Sequence, residues 1–142
     1  MAGGNTSTGD RHLGQVESAI ALIAAPLAVH YPTIYRQSKG NAIAFAFNGQ
    51  RCLALCMWQG VSGTVDEKYP FLFENATIQD GYSNVFIVLG GGGARAVAEE
   101  WIADSANVWN ARGRRPRIEV FESSDAFRGA CQRAAAGGEW TG

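Results

Sequence analysis

The sequence predicts a single α/β domain with a mixed central sheet flanked by helices. Asn48-Gly49 separates two apolar stretches, and this dipeptide is among the strongest signals for an antiparallel hairpin. Strands alternate with helices in the second half of the chain, which favours parallel strands joined by crossovers. At 142 residues, with 46% hydrophobic and 18% charged residues, the chain has the size and composition of one compact domain.

The composition argues against several classes of protein. The formal net charge of -1 provides no overall attraction to nucleic acid or to an anionic membrane, so such binding requires a local patch. The sequence shows neither a membrane-spanning apolar run nor a secretory signal, so we expect a cytoplasmic protein with no membrane partner. We expect Cys52, Cys56 and Cys131 to be reduced core residues, and neither His12 nor His30 has the spacing from a cysteine that a zinc site needs.

The first half of the chain begins with residues 1–9, whose Gly, Thr, Ser and Asn predict a flexible lead-in to a domain over 10–142. Apolar residues at helical spacing predict an amphipathic helix over about 11–29. Glu17 borders its apolar stripe, where a glutamate is either solvated or points into a cleft. The elements expected next are a short strand over 31–37, a turn at 38–41, and the paired strands 42–47 and 51–59.

The second half reads as alternating helices and strands. Asp66 and Glu67 favour a helix start, because carboxylates are stabilised at the positive end of the helix dipole. The expected elements are a helix over 65–77, a buried strand over 84–89, a long helix after Gly90–Gly93, a strand over 118–122, and a last helix capped by Ser123 or Ser124. The complete predicted order is α, β, β, β, α, β, α, β, α.

Three stretches could carry chemistry. Gly90–Gly93 lacks the residues of a phosphate-binding fingerprint, so close packing explains these glycines better. Asp66, Glu67 and Asp80 form an acidic cluster in which paired carboxylates could hold a magnesium ion. Alternatively, these carboxylates simply mark the start of a helix. The most basic stretch of the chain is a loop that carries Arg112, Arg114, Arg115 and Arg117. Such a loop either binds nucleic-acid phosphates or is a solvated segment that balances the preceding helix C-terminus.

The element order, together with QGVSGTVDEKYPFLFENA and VFIVLGGGG, resembles the restriction-endonuclease-like PD-(D/E)XK nuclease superfamily. The resemblance implies a restriction-endonuclease-like fold with an αβββαβ core. It assigns Glu17 to the family's helix glutamate and Gln59 to the glutamine after the metal-binding motif. The metal-binding aspartate then falls at Ala42 or Ala44, and the glutamate and lysine fall at Leu55 and Met57. These apolar residues cannot hold the magnesium that activates water in such enzymes.

Our leading hypothesis is therefore a non-catalytic, nuclease-like domain that acts as a binding or assembly module. DNA is its candidate partner through the arginine loop, a homodimer is compatible with it, and it requires no metal or cofactor. The alternative is a divergent nuclease that uses Mg²⁺ and relocated carboxylates such as Glu17, Asp66 or Glu67. A third hypothesis is a small-molecule binding or interaction domain in which aromatic residues such as Trp58 and Tyr69 line a cleft, although such residues are more often part of the core.

Overall fold

The computed structural model describes residues 3–58, 65–92 and 96–138, except for the side chains of residues 3–8 and 65–67. The order of helices and strands is the predicted one. The elements are α1 (Gly3–Ile20), β1 (Leu27–Pro32), β2 (Ser38–Phe47), β3 (Gln50–Trp58), α2 (Val65–Thr77), β4 (Asn84–Gly90), α3 (Ala96–Ala111), β5 (Arg117–Phe121) and α4 (Ser124–Ala135). Ser123 caps α4, with its hydroxyl accepting a hydrogen bond from the backbone N–H of Ala126.

The boundaries at the start of the chain differ from those predicted. Helix α1 begins at Gly3, within the segment expected to be a lead-in, and it ends at Ile20. The predicted helix to residue 29 is wrong beyond that point, because Leu27 opens β1 and is 64% exposed rather than packed on a helical stripe. The strand predicted over 31–37 is also wrong. Residues 33–37 form a turn in which the N–H of Thr33 donates to the carbonyl of Gln37 at 2.9 Å.

The described strands form one mixed sheet in the order β1-β2-β3-β4-β5. The pairs β1/β2 and β2/β3 are antiparallel, whereas β3/β4 and β4/β5 are parallel. Asn48 and Gly49 join β2 to β3 with φ values of 52° and 75°, and a type I′ turn requires both of its central residues in this left-handed region. The mixed sheet and its hairpin are confirmed.

Helices cover both faces of the sheet. Helices α2 and α3 pack over the face that carries Ala42, Leu53 and Leu55. Helices α1 and α4 cover the other face, where Ile43 and Phe45 lie. The alternation along β2 therefore places Ala42 and Ala44 under α2 and α3, as expected for a strand whose successive side chains point to opposite faces.

One row of side chains crosses the whole sheet on the α2/α3 face. Strand pairing aligns Val29 with Ala42, Ala42 with Leu55, Leu55 with Ile87, and Ile87 with Val120. We call these five residues the apolar row. Its three central members are at most 1% exposed, so the row forms the middle of the core.

The C-terminal end of α3 is tied to β5 by side-chain hydrogen bonds. The Asn110 amide group donates to the carbonyl of Ile118 at 2.7 Å and accepts from the N–H of Ile118 at 2.9 Å. The Trp109 indole N–H donates to the carbonyl of Pro116 at 2.6 Å. Asn110 thus occupies the two backbone groups of Ile118 that β5 would otherwise leave open for pairing with another strand. No described helix has both the length and the hydropathy needed to cross a membrane.

We expect Asn110→Ala to lower the free energy of unfolding by about 1–3 kcal/mol, because it leaves the N–H and the carbonyl of Ile118 without partners. Urea denaturation measures this change. Asn107→Ala, at an exposed asparagine of the same helix, should change the free energy of unfolding by less than about 0.5 kcal/mol. Equal effects of the two substitutions would show that the Asn110 amide does not hold β5.

Candidate functional site

The positions where the resemblance places a metal-binding site lie inside the core. Ala42 is paired directly with Leu55, and the two residues are 1% and 0% exposed. Ala44 is paired with Leu53, and Met57 lies half-buried on the same face, beside Leu89 of β4. Magnesium binds oxygen ligands, and none of these side chains carries an oxygen atom. The residues present do not fit a magnesium ion.

Glu17 does not meet these positions. Its side chain is exposed on α1, and α1 packs on the face of the sheet opposite to the face that carries Leu55 and Met57. Gln59 lies outside the described residues. Within the described part of the chain, no group of three or more His, Cys, Asp or Glu side chains is arranged to hold a metal ion.

The acidic residues around α2 are spread along the helix. The side chains of Asp66 and Glu67 lie outside the described residues, but their positions in the first turn are clear from the helix bounds. Asp80 follows the last turn, so roughly 17 Å of helix separates it from Asp66 at about 1.5 Å per residue. The structure does not bring Asp80 together with the carboxylates of the helix start.

Trp58 and Tyr69 do not line a common cleft. Tyr69 is 1% exposed among the side chains between α2, α3 and the sheet. Trp58 contacts His12 of α1, which packs on the opposite face, and the two ring centroids are 5.6 Å apart. Trp58 and Tyr69 therefore lie on opposite faces of the sheet, and Tyr69 instead lines a cavity of about 240 Å³ with Val97 and Trp101.

His12 is a buried polar residue that inspection of the sequence missed. Its ring is 1% exposed and lies at the carboxyl ends of β3 and β4, where Nε2 donates to the carbonyl of Val88 at 3.0 Å. Nδ1 has no hydrogen-bond partner. Burial lowers the pKa of His12, although the hydrogen bond to Val88 acts in the opposite direction. The signal was present, because His12, Val16 and Ile20 recur every four residues on the apolar face of α1.

Gly90 makes this packing possible. A Cβ atom at Gly90 would lie 2.8 Å from Cε1 of His12, closer than real Cβ atoms approach other atoms, and 3.0 Å from Cε3 of Trp58. The first glycine of the run is therefore required by close packing, which is the interpretation favoured from the sequence. Gly93 lies outside the described residues.

The cysteines offer no activated nucleophile. Cys52, Cys56 and Cys131 are all free, as expected, and Cys52 and Cys131 are buried. Burial raises the pKa of the Cys56 thiol to about 12. The thiolate is the reactive form of cysteine, so burial keeps Cys56 unreactive near neutral pH.

The arginine loop is the exposed basic feature that the sequence predicted. Arg112, Arg114 and Arg115 are exposed between α3 and β5. Arg117 is the first residue of β5, and its Nε lies 2.7 Å from a carboxylate oxygen of Glu119. Arg117 is therefore partly neutralised, which leaves the other three guanidinium groups as the main source of positive charge.

This loop lies at the amino ends of the parallel strands, whereas Met57 lies near their carboxyl ends. Arg117 aligns with Asn84 at the start of β4, and Asn84 aligns with Cys52 near the start of β3. Met57 lies five residues further along β3, which is roughly 16 Å at about 3.3 Å per residue. The structure does not join the arginine loop to the positions assigned to the metal site.

A groove between α2 and α3 leads to the arginine loop. A cavity of about 460 Å³ lies in this groove, and its walls contain aromatic residues, two carboxylates and two of the arginines. Its lining includes Phe73, Glu74, Trp101, Asp104, Trp109, Arg112 and Arg114. The guanidinium of Arg114 lies 5.5 Å from the centroid of the Trp109 ring, within the range of a cation–π interaction.

The sheet order and its flanking helices define a restriction-endonuclease-like α/β fold. A family model for the PD-(D/E)XK nuclease superfamily domain matches residues 32–133, from the end of β1 into α4. The chain therefore belongs to the PD-(D/E)XK nuclease superfamily. Helix α1, with Glu17 and His12, lies outside the matched range. Comparisons with curated proteins and with solved structures found no match.

We expect Leu55→Glu to lower the free energy of unfolding by about 3 kcal/mol or more, because the new carboxylate would be buried without a partner. Leu55→Met keeps the volume of the side chain and should cost less than about 1.5 kcal/mol. Urea denaturation of the two variants measures the difference. A Leu55→Glu variant as stable as the unsubstituted protein would mean that this position tolerates charge, as a metal site would.

We also expect the stability to fall as the pH drops below about 6.5, because the unfolded chain then takes up a proton that buried His12 resists. Because the pKa of His12 is lowered in the folded state, neutral His12 makes its full contribution to the free energy of unfolding above pH 6.5. This contribution is lost as the pH falls from 6.5 to the pKa of His12 in the folded protein. His12→Leu should reduce the slope of the free energy of unfolding against pH in this range. An unchanged slope would contradict the role given to His12.

Proposed function

We propose that this domain is a non-catalytic member of its superfamily that binds nucleic acid through the arginine loop. The observation that carries the proposal is the pairing of Ala42 with Leu55 inside the core. On this proposal the chain keeps the fold of a nuclease, while the positions expected to hold its metal serve as packing. Metal-dependent cleavage is then not part of its activity.

The chemistry of the apolar row supports the absence of catalysis. Nucleases of this superfamily use carboxylates to hold the metal that activates water, and the resemblance places these carboxylates at Ala42 or Ala44 and at Leu55. Burying each large apolar side chain instead contributes about 1.5–3 kcal/mol to stability. A carboxylate in the same place would lie between Ile87 and the alanines of β2.

The geometry of the arginine loop supports the binding of phosphates. Arg112, Arg114 and Arg115 are exposed, and hydrogen bonds of Trp109 and Asn110 fix the loop on both sides. A loop backbone held in place loses less conformational freedom when its arginines contact a ligand. Each phosphate that they neutralise adds to a salt-sensitive affinity for nucleic acid.

We expect labelled DNA to bind at low ionic strength and to be released as salt is added. Replacing Arg112, Arg114 and Arg115 together by Gln should weaken binding at least tenfold, and should make the slope of log affinity against log salt shallower by up to about 3. Fluorescence anisotropy measures both quantities. A triple Gln variant at Arg11, Arg128 and Arg133, on α1 and α4, removes the same charge elsewhere and should bind nearly as well as the unsubstituted protein.

Other outcomes would separate the proposal from its competitors. The nucleic-acid part fails if no DNA, duplex or single-stranded, is retained at low salt. Cleavage of plasmid DNA that depends on Mg²⁺ or Mn²⁺ and is abolished by Glu17→Ala or Glu67→Ala would favour the divergent nuclease. The proposal is also compatible with a homodimer, and light scattering of the purified protein would measure its mass.

A further inference from the structure

We propose that the groove between α2 and α3 binds single-stranded nucleic acid, with an unpaired base stacked on Trp101 and the phosphates held by Arg112 and Arg114. This inference rests on the proposed binding of nucleic acid and names the form that is bound. It also places the contact on the helices that cover the sheet, rather than on the strand positions that the resemblance assigns to the metal.

The groove has the shape that such a ligand needs. Helices α2 and α3 each follow a parallel strand of the sheet, so they run side by side in the same direction. Cavities of about 460 Å³ and 240 Å³ lie between them, and Trp101 lines both cavities. From Val97 to Arg112 the groove is roughly 22 Å long at about 1.5 Å per residue.

The aromatic side chains of the groove pack against one another. Trp101 is 43% exposed, while Phe73 is only 9% exposed and packs edge-on against it at 6.0 Å. Phe73 also packs edge-on against Trp109 at 6.3 Å, and the indole N–H of Trp109 is occupied by Pro116. Trp101 thus presents an exposed indole on a fixed support, and stacking on such a surface suits bases of any sequence.

The charges in the groove match the different parts of a nucleotide. Arg112 and Arg114 line one end, where they can neutralise backbone phosphates. Glu74 and Asp104 line the same cavity near Trp101, and carboxylates accept hydrogen bonds from the amino groups of bases. A base in a duplex has its pairing edge and its faces covered. Only an unpaired base can offer its face to Trp101 and its amino group to a carboxylate at once.

This distribution of charge favours nucleic acid over an apolar protein surface. An apolar partner that filled the groove against Val97, Trp101 and Val108 would also cover the two carboxylates and two guanidinium groups of the cavity lining, and it would offer these charges no partners. A single strand supplies anions, amino donors and flat rings at short spacing. The two carboxylates also predict that cytosine binds better than thymine, because cytosine has an amino group that can donate a hydrogen bond to them.

The test is fluorescence anisotropy of the full chain with labelled oligo-dC, oligo-dT and a duplex of the same length. We expect Trp101→Ala to weaken the binding of oligo-dC roughly 5- to 100-fold and to leave duplex binding unchanged. Trp101→Phe should restore most of the affinity, because it keeps a ring. Tyr35→Ala removes an aromatic residue that is 71% exposed in the turn after β1, and it should have no effect. Circular dichroism checks that each variant is folded.

The outcomes distinguish this inference from the proposed function. Equal binding of single strands and duplex, unaffected by Trp101→Ala, would overturn the inference even if the arginine variant still lost all binding. A Trp101→Ala variant that turns a dimer into a monomer, with its affinity for oligo-dC unchanged, would also overturn it and assign the groove to a second copy of the chain. Failure of the unsubstituted protein to bind any of the probes would remove the proposed function together with the inference.

Discussion

The apolar row across the middle of the sheet is the constraint on which the rest of the structure depends. Its side chains come from all five described strands and are packed under α2 and α3. Strand register and helix docking are coupled there, because a shift of one residue in any strand would turn its apolar side chains to the other face. Ala42 and Leu55 are central to this packing, so a charged group at either position would act against the fold.

Because the apolar row is buried, the proposed function relies on residues at the surface. On the α2/α3 side, the groove meets the arginine loop, and Arg112 and Arg114 line the same cavity as Trp101. The loop depends on the fold as well, because Trp109 and Asn110 hold it against the start of β5. A nuclease scaffold used in this way keeps a rigid sheet and carries its contacts on the helices that cover it.

Much of the fold could be predicted from the sequence, because several local signals agreed with the tertiary structure. Asn48-Gly49 defines a turn by its backbone requirements, and the alternation along β2 assigns Ala42 and Ile43 to opposite faces. The start of the chain was less predictable. Ile20 and Leu27 have helical spacing, yet Leu27 lies in β1. The pairing of β1 with β2 cannot be predicted from the local sequence around Leu27. The superfamily was recognisable from the element order and was confirmed by the match over residues 32–133.

The functional surface could be predicted only in part. The basic composition of residues 112–117 indicated where positive charge lies, but the ion pair of Arg117 with Glu119 depends on the register of two side chains along β5. The groove was not predictable, because Phe73 and Trp101 come from different helices and meet only through packing on the sheet. Contacts between residues far apart in sequence carry no local signal, and the candidate binding site consists of such contacts.

The proposed absence of a metal site is tested most directly by the thermal unfolding midpoint at increasing Mg²⁺ or Mn²⁺. A metal bound to the native state raises the midpoint as its concentration increases. If the apolar row has replaced the metal site, the midpoint should stay the same at millimolar metal. A midpoint that rises with metal concentration, and no longer rises in a Glu17→Ala or Glu67→Ala variant, would contradict the proposal that the domain has no metal site.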